Sequence, residues 1–188
     1  MEIHYAALHN MRSDDVDLVR DIESEAFQDA WPLRIFEAEL ENGFAQYRVV
    51  KGETTNKGLE EMLGYSGVWF MVDQLHLVTI AVRPIYQKLG IGERLLFDVL
   101  EQARSTTLGK IILEVRQSNL PAQALYRKFG FMKIGELPHY YQDDDETAVV
   151  MQLNFQDDEG AIVQLQTSHK ARYPSLWTHE IREGLSNP

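Results

Sequence analysis

The sequence predicts an α+β domain in which helices and strands are mixed. Three observations carry that expectation: two amphipathic helical segments in succession near the start, three strand-like runs joined by turns, and a change of hydrophobic period after Pro84. With 188 residues, 44% hydrophobic and 25% charged, the chain has the apolar material for one buried core and suits one domain, or one domain with an appendage.

Ile3 to Tyr5 alternates apolar and polar residues and predicts a short strand. Ser13 or Asp14 offers an N-cap to a first helix that buries Leu18, Val19, Ile22 and Ala26. A break at Gln28 to Trp31 follows, and Pro32 suits the first turn of a second helix carrying Ile35, Phe36 and Leu40, with Gly43 beyond its end. Gln46 to Lys51, Met62 to Val72 and Gln74 to Val82 are rich in aromatic or β-branched residues, and the turn-rich Gly52 to Gly58 separates the first two. They read as an antiparallel meander.

After Pro84, Leu95, Leu96, Val99, Leu100 and Ala103 fall on one helical face that begins at Gly90 or Gly92. Gly109 returns the chain to strand at Lys110 to Val115. Pro121 to Phe129 reads as a helix with Gly130 at its C′ position, and Phe131 to Ile134 and Thr147 to Leu153 are the last two strands. Residues 1–155 form the expected domain. Residues 156–188 are a polar appendage that either packs on it through Leu176 and Trp177 or stays mobile.

Lys and Arg total 18 against 29 Asp and Glu, a formal net charge of −11, which disfavours a phosphate-tracking nucleic-acid binder and suits a basic partner. There is no cysteine, so disulfides, thiolate zinc sites and a cysteine acyl-enzyme are ruled out. The stretch Met1 to Asp15 carries Glu2, Arg12, Asp14 and Asp15 and does not read as a secretory signal. Met62 to Val72, between Glu61 and Asp73, is too short to span a bilayer. A cytoplasmic protein with no membrane insertion is the expectation.

The stretch Gln87-Lys88-Leu89-Gly90-Ile91-Gly92 stands between a strand and an amphipathic helix. Glycines there let a ligand approach the backbone, and a helix N-terminus offers N–H groups to phosphate oxygens, so one reading is a pyrophosphate cradle. The other is a tight strand-to-helix turn and nothing more. It is neither a dinucleotide fingerprint nor a P-loop, since Leu95 replaces the third fingerprint glycine and no Gly-Lys-Ser/Thr occurs.

The stretch resembles the acetyl-CoA loop of the GNAT superfamily of N-acetyltransferases, Gln/Arg-x-x-Gly-x-Gly/Ala, with Gln87, Gly90 and Gly92 matching. The resemblance extends through Thr79 to Val82, Leu113 to Arg116, Ser118-Asn119, Ala124-Leu125-Tyr126 and Phe129-Gly130-Phe131, a set similar to the RimI branch of ribosomal-protein alanine N-acetyltransferases. Tyr140-Tyr141, Asp145 to Ala148 and Val149 to Met151 match the paired-tyrosine and acidic-turn segment of the family, and Ala26-Phe27, Trp31-Pro32 and Phe36 its early helix pair. Two departures stand out. Leu33 follows Trp31-Pro32 where the family often has Pro-Trp-Ser, and Glu93 stands where Arg or Lys is frequent, which leaves more of the phosphate holding to backbone amides.

The resemblance implies a GNAT fold: a central, twisted, mostly antiparallel sheet with a parallel pair at the acetyl-CoA cleft, flanked by about four helices. It implies acetyl-CoA as cosubstrate, held by Gln87, Lys88, Leu89, Gly90, Ile91, Gly92 and Glu93, by the backbone of Ile80, Ala81 and Val82, and by Asn119 along the pantetheine. It also implies Glu114 as general base, directly or through water, and Tyr126 as the acid that protonates the departing thiolate. Read from the residues alone, Glu114 is more often a surface or strand-end charge, Tyr126 reads as an ordinary half-buried aromatic, and Asn119 as a loop-to-helix cap, a use compatible with the pantetheine contact. Tyr140 and Tyr141 are candidates for the wall of the acceptor groove. Glu25, Asp29, Glu37, Glu39 and Glu41 cluster around the early helices, most of them on a solvated face.

The expected reaction is acetyl transfer from acetyl-CoA to the α-amine of a protein N-terminus, with an alanine-initiated ribosomal protein as the acceptor the resemblance suggests. Direct attack in a ternary complex fits the absence of cysteine and of a Gly-x-Ser-x-Gly elbow; Gly64-Tyr65-Ser66-Gly67 has the wrong spacing. The alternatives are a lysine or small-amine acceptor on the same fold, and an acyl-CoA-binding module without turnover. No metal is expected. His4 and His9 sit on opposite faces of a strand, His179-Glu180 with Glu183 lacks a second histidine, and Asp143 to Asp145 reads as a hairpin turn. The sequence assigns no oligomeric state.

Overall fold

The computed structural model describes residues 2–27, 30–55, 60–154 and 159–177. Gln28, Asp29, the turn residues 56–58, and His179, Glu180 and Glu183 lie outside them. Strand β1 (Ile3–Asn10) opens the chain and pairs antiparallel with β2 (Ala45–Thr54). It is longer than its alternating start predicts, because Ala6, Ala7 and Leu8 are all buried, and a strand covered on both faces loses its alternation.

A 3-10 turn at Ser13–Asp15 leads into α1 (Val16–Ala26). There the Asp15 carboxylate accepts the Arg12 N–H at 3.0 Å and pairs with Lys51 at 2.6 Å. Val16, Val19 and Ile22 form the buried stripe of α1. Leu18, expected on it, is 44% exposed, since it lies about 200° around the helix from Val16. Helix α2 (Leu33–Glu41) buries Phe36, whose ring contacts Trp31, Tyr47 and Tyr65.

The meander continues through β3 (Glu60–Phe70) and β4 (Leu75–Val82), followed by α3 (Ile91–Arg104), β5 (Lys110–Arg116), α4 (Leu120–Lys128), β6 (Met132–Tyr141) and β7 (Glu146–Asn154). All seven strands form one sheet in the order β1-β2-β3-β4-β5-β7-β6, antiparallel throughout except for the parallel pair β4–β5. The expected mixed α+β architecture is therefore observed, with five α-helices among the described residues. Strand β6 runs well past Ile134, the end its sequence predicts. It is an exposed edge strand carrying Pro138, with irregular register between Leu137 and Tyr141, so it shows no apolar alternation.

Helices α1 and α2 cover one face of the sheet, where Val19, Ile22 and Phe36 meet Val49, Met62 and Tyr65. On the other face, Leu96, Val99 and Leu100 of α3 and Phe129, just past the end of α4, pack on Leu77, Leu113, Val115 and Met151. The tail joins this second layer. Helix α5 (Glu159–Arg172) buries Ile162 there, and a 3-10 turn at Pro174–Leu176 inserts Leu176 beside Ile3, Leu8 and Leu95.

Candidate active site

The parallel pairing of β4 and β5 covers only Leu75 with Ile111, His76 with Ile112 and Leu77 with Leu113. Beyond it β4 stays bonded to β3 as far as Val82, and β5 to β7 as far as Arg116. The two strands part at their carboxyl ends, where open α/β sheets bind ligands. Ile80, Ala81 and Val82 lie on the parted section of β4. The backbone edge facing the gap is suited to an extended ligand segment, as in strand addition. Gln87 Nε2 donates to the Val82 carbonyl at 3.3 Å and ties the following loop to that edge.

Glu114 is the first β5 residue after the last pair. Strand alternation sends Ile111, Leu113 and Val115 into the core and Glu114 to the opposite side, together with His76. Glu114 Oε2 is 2.6 Å from His76 Nε2, with both side chains largely buried. The His76 ring meets Trp69 edge-on at 5.8 Å. The indole N–H of Trp69 donates to Glu39 Oε2 at 2.5 Å, and the Tyr47 hydroxyl donates to the same oxygen at 3.1 Å. Hydrogen bonds at either end, joined by the Trp69–His76 ring contact, thus link α2 to Glu114. Nearby, the buried Glu23 accepts the Tyr65 hydroxyl; burial and then the Glu23 charge push that phenol well above its ordinary value.

Three tyrosines lie on α4 and at the end of β6. Tyr126 on α4 is 5% exposed, with its ring 5.8 Å from Phe131. Burial, then the neighbouring Tyr141, raise its pKa far above the ordinary phenol value. Tyr140 and Tyr141 stack edge to face at 5.1 Å at the end of β6. Burial raises both, Tyr141 to about 12, and the Glu114 charge adds to each, so Glu114 and the tyrosine pair share one electrostatic neighbourhood. Arg116 lies 4.0 Å over the Tyr141 ring while binding Asp143, Asp144 and Glu146, and Glu146 accepts the Ser118 N–H at 2.6 Å. The β6–β7 hairpin is thereby tied to the β5–α4 junction. The triad Asp143 to Asp145 serves as partner to Arg116 and, through Asp145, to His139.

The loop before α3 adopts two left-handed conformations, Lys88 at φ +64° and Gly90, the N-cap of the helix, at φ +84°. The first N–H groups of the helix have no intrahelical partner, which makes this end a place for anionic oxygens. At Gly92 a Cβ would meet only Leu125 at 3.5 Å and Val82 at 3.8 Å, ordinary contacts. Packing within the chain therefore does not demand the glycine. Glu93 is paired with Lys128 at 2.6 Å, so its negative charge beside the loop is offset. Asn119 caps α4 by accepting the Ala122 N–H at 3.1 Å.

Residues 16–131, more than half of the chain, match the Acetyltransferase (GNAT) family. The chain belongs to the GNAT acetyltransferase family. A Bacillus subtilis (strain 168) protein provisionally named as a ribosomal protein bS18 alanine N-acetyltransferase is 37% identical over 147 residues, 78% of this chain and 93% of that one. N-alpha-acetyltransferase RimI of Mycobacterium tuberculosis is 33% identical over 143 residues, 73% of this chain and 85% of that one. The crystal structure of the ribosomal-protein-S18-alanine N-acetyltransferase from Escherichia coli is similar with a TM-score of 0.69 at 26% identity, covering 79% of this chain and 93% of that one. This GNAT enzyme is accordingly an acetyltransferase of the RimI type.

Membership of the GNAT family implies acetyl-CoA. The left-handed cap at Gly90, the unpaired first N–H groups of α3 and the free edge of β4 fit such a ligand: amides for the pyrophosphate, a strand edge for the pantetheine. No group of three or more metal-ligating side chains occurs among the described residues, and no helix there is long and apolar enough to cross a membrane. Ile80 to Val82 lie on the parted section of β4, Gln87 to Glu93 on the loop and first turn that follow it, Glu114 just beyond the last β4–β5 pair, Asn119 and Tyr126 at the start and within α4, and Tyr140 and Tyr141 at the end of β6; Ile91 and Tyr126 are buried in the core. Sequence reasoning missed His76, Trp69 and the structural use of Glu39. Ile112 and Glu114 share a face by simple alternation, but pairing His76 with them requires the β4–β5 register, to which no local pattern points.

Proposed function

We propose that the protein transfers an acetyl group from acetyl-CoA to the N-terminal α-amine of a protein, and that the acceptor is an alanine-initiated ribosomal protein. The observation that carries this reading is Glu114, fixed by His76 at the point where β4 and β5 part. An α-ammonium with a pKa near 8 must lose a proton before it attacks a thioester. Glu114 accepts that proton, directly or through a water. The amine nitrogen bonds to the acetyl carbon, the carbon–sulfur bond breaks, and the departing sulfur takes a proton from Tyr126. The second N–H proton leaves the nitrogen as the amide forms and returns to Tyr126 through solvent, while Glu114 releases the first. The raised pKa of Tyr126 keeps it protonated, as an acid must be before it acts.

Ile80, Ala81 and Val82 hold the pantetheine through their backbone and offer an N–H to the thioester oxygen. The loop Gln87 to Glu93 receives the phosphates, and Asn119 adds a contact beside its capping bond. Tyr140 and Tyr141 form the wall of the acceptor groove. Attack is direct, in a ternary complex, because the chain has no cysteine to carry the acyl group. We assign this chemistry to residues 1–155 and place it in the cytoplasm, where ribosomal proteins are made. The α-amine acceptor is supported by the names of the relatives, which include N-alpha-acetyltransferase RimI and bS18 alanine N-acetyltransferases.

Mass spectrometry of peptides incubated with the protein and acetyl-CoA tests the reading. The panel compares free Ala, Ser and Met N-termini with blocked peptides containing internal lysine, beside Glu114→Gln and Tyr126→Phe. Acetylation of free Ala N-termini, lost in both variants, is the expected result. Modification of lysine would replace the acceptor, and binding of acetyl-CoA without transfer to any amine would point to a module without turnover.

A further inference from the structure

The family match ends at residue 131, yet the tail closes against the loop that opens α3. His169 of α5 is 3% exposed, with Phe97 5.3 Å from its ring. Its Nε2 is 2.9 Å from the Gly90 carbonyl oxygen, and its Nδ1 accepts the Trp177 indole N–H at 3.0 Å. An acceptor at Nδ1 and a carbonyl opposite Nε2 leave one consistent assignment, a neutral ring whose Nε2–H donates to Gly90. Burial lowers the basicity of the ring and so maintains that neutral form.

Tyr173 completes the grip: a Cβ on Gly90 would lie 2.6 Å from its ring. Trp177 in turn is flanked by Arg94 at 4.1 Å and Lys170 at 4.3 Å, and Arg94 Nε donates to the Leu176 carbonyl at 3.1 Å. The carbonyl held by His169 also accepts the Arg94 N–H at 3.0 Å, at the first turn of α3. Its orientation is therefore coupled to that of the peptide groups that begin the helix. Gly90 has no side chain to restrict it, and a loop left to sample other conformations charges its ordering to ligand binding.

Resting on the acetyl-CoA reading above, we propose that His169 is a positioning residue for acetyl-CoA, through which the C-terminal segment fixes the Gly90 peptide and presets the Gly90–Gly92 turn for the pyrophosphate. His169→Phe keeps a ring of similar size and removes both hydrogen bonds. His169→Gln restores a donor near the Nε2 position. Trp177→Phe removes the bond to Nδ1 and trims the ring that Arg94 and Lys170 flank, and leaves the His169–Gly90 bond in place.

Two measurements are made on each full-length variant: amide hydrogen exchange of residues 89–94 in the ligand-free protein, and the Kd of coenzyme A by calorimetry, with steady-state KM values beside them. For His169→Phe, exchange at those amides should quicken about tenfold, and the Kd of coenzyme A and KM for acetyl-CoA should rise about tenfold, the loss of one neutral hydrogen bond. KM for the acceptor peptide should not follow. His169→Gln should recover most of the loss, and Trp177→Phe should show a smaller change in the same direction. A His169→Phe protein that melts lower but keeps wild-type exchange and coenzyme A affinity would overturn the proposal and leave His169 a packing residue. A wild-type protein that binds no coenzyme A would overturn the proposed function instead, and the exchange rates would still decide whether His169 holds the loop.

Discussion

Replacing Glu114 with Gln removes one charge and one proton acceptor while keeping the shape of the side chain and its reach to His76, 2.6 Å away. If Glu114 deprotonates the bound ammonium, the loss at pH 7 should be about 10²-fold or more in kcat/KM, the usual worth of a general base. The deficit should then shrink as pH rises. With an amine pKa near 8, roughly a tenth of the acceptor is neutral at pH 7 and roughly nine tenths at pH 9, so the variant should regain about tenfold from the substrate alone. The wild-type enzyme, which removes the proton itself, should gain much less over the same range. The assay is release of the coenzyme A thiol, followed with an Ala-initiated peptide at several pH values and at subsaturating peptide. A variant within about threefold of wild type at pH 7, or a deficit that stays constant to pH 9, would refute the role of Glu114 as the base.

Tyr126→Phe keeps the ring beside Phe131 and removes only the hydroxyl, so kcat should fall about 10²-fold while circular dichroism shows the same fold. Leu176→Ala should cost about 3 kcal/mol, because Leu176 is 2% exposed among Ile3, Leu8 and Leu95; for a chain of this size that lowers Tm by about 6–12 °C in a thermal melt. A drop of under about 2 °C would show that the tail does not share the core. Lys128→Ala uncovers the Glu93 charge beside the loop and should weaken coenzyme A binding about two- to fivefold in low-salt calorimetry, with Glu93→Gln restoring it in the double variant. Burial holds the His169 pKa below its unfolded value near 6.5, so the unfolded chain takes up that proton first and stability falls as pH drops from about 6.5 through the folded pKa. Urea midpoints between pH 7 and 5 should therefore decline more steeply for wild type than for His169→Gln, and parallel curves would contradict the buried neutral ring.

Where one physical signal dominates a segment, the sequence was readable. In α3, Leu95, Leu96, Val99, Leu100 and Ala103 repeat at helical spacing, and all are buried. The left-handed Gly90 and Gly130 stand at helix ends where only the backbone freedom of glycine is cheap. The signal fails in β1, where Ala6, Ala7 and Leu8 are covered on both faces, and in β6, an edge strand with no core to impose a period. It fails again in α5, whose hold on the domain depends less on an aliphatic stripe than on His169, Tyr173 and the neighbouring Trp177. Both histidines that matter most escaped for the same reason. His76 meets Glu114, 38 residues on, and His169 meets Gly90, 79 residues back, each through a single hydrogen bond with no periodicity. Such a bond has meaning only once both ends are placed, the first by the parallel register of β4 and β5 and the second by the return of the tail across α3. At His169 a neutral imidazole suits this use. One donor and one acceptor on a rigid ring can join two separate segments, and when it protonates in a buried site it loses the acceptor as well as the favourable environment. Changes at His76 and His169 should therefore register at the parted strands and the Gly90 loop, respectively, more than in the surrounding core.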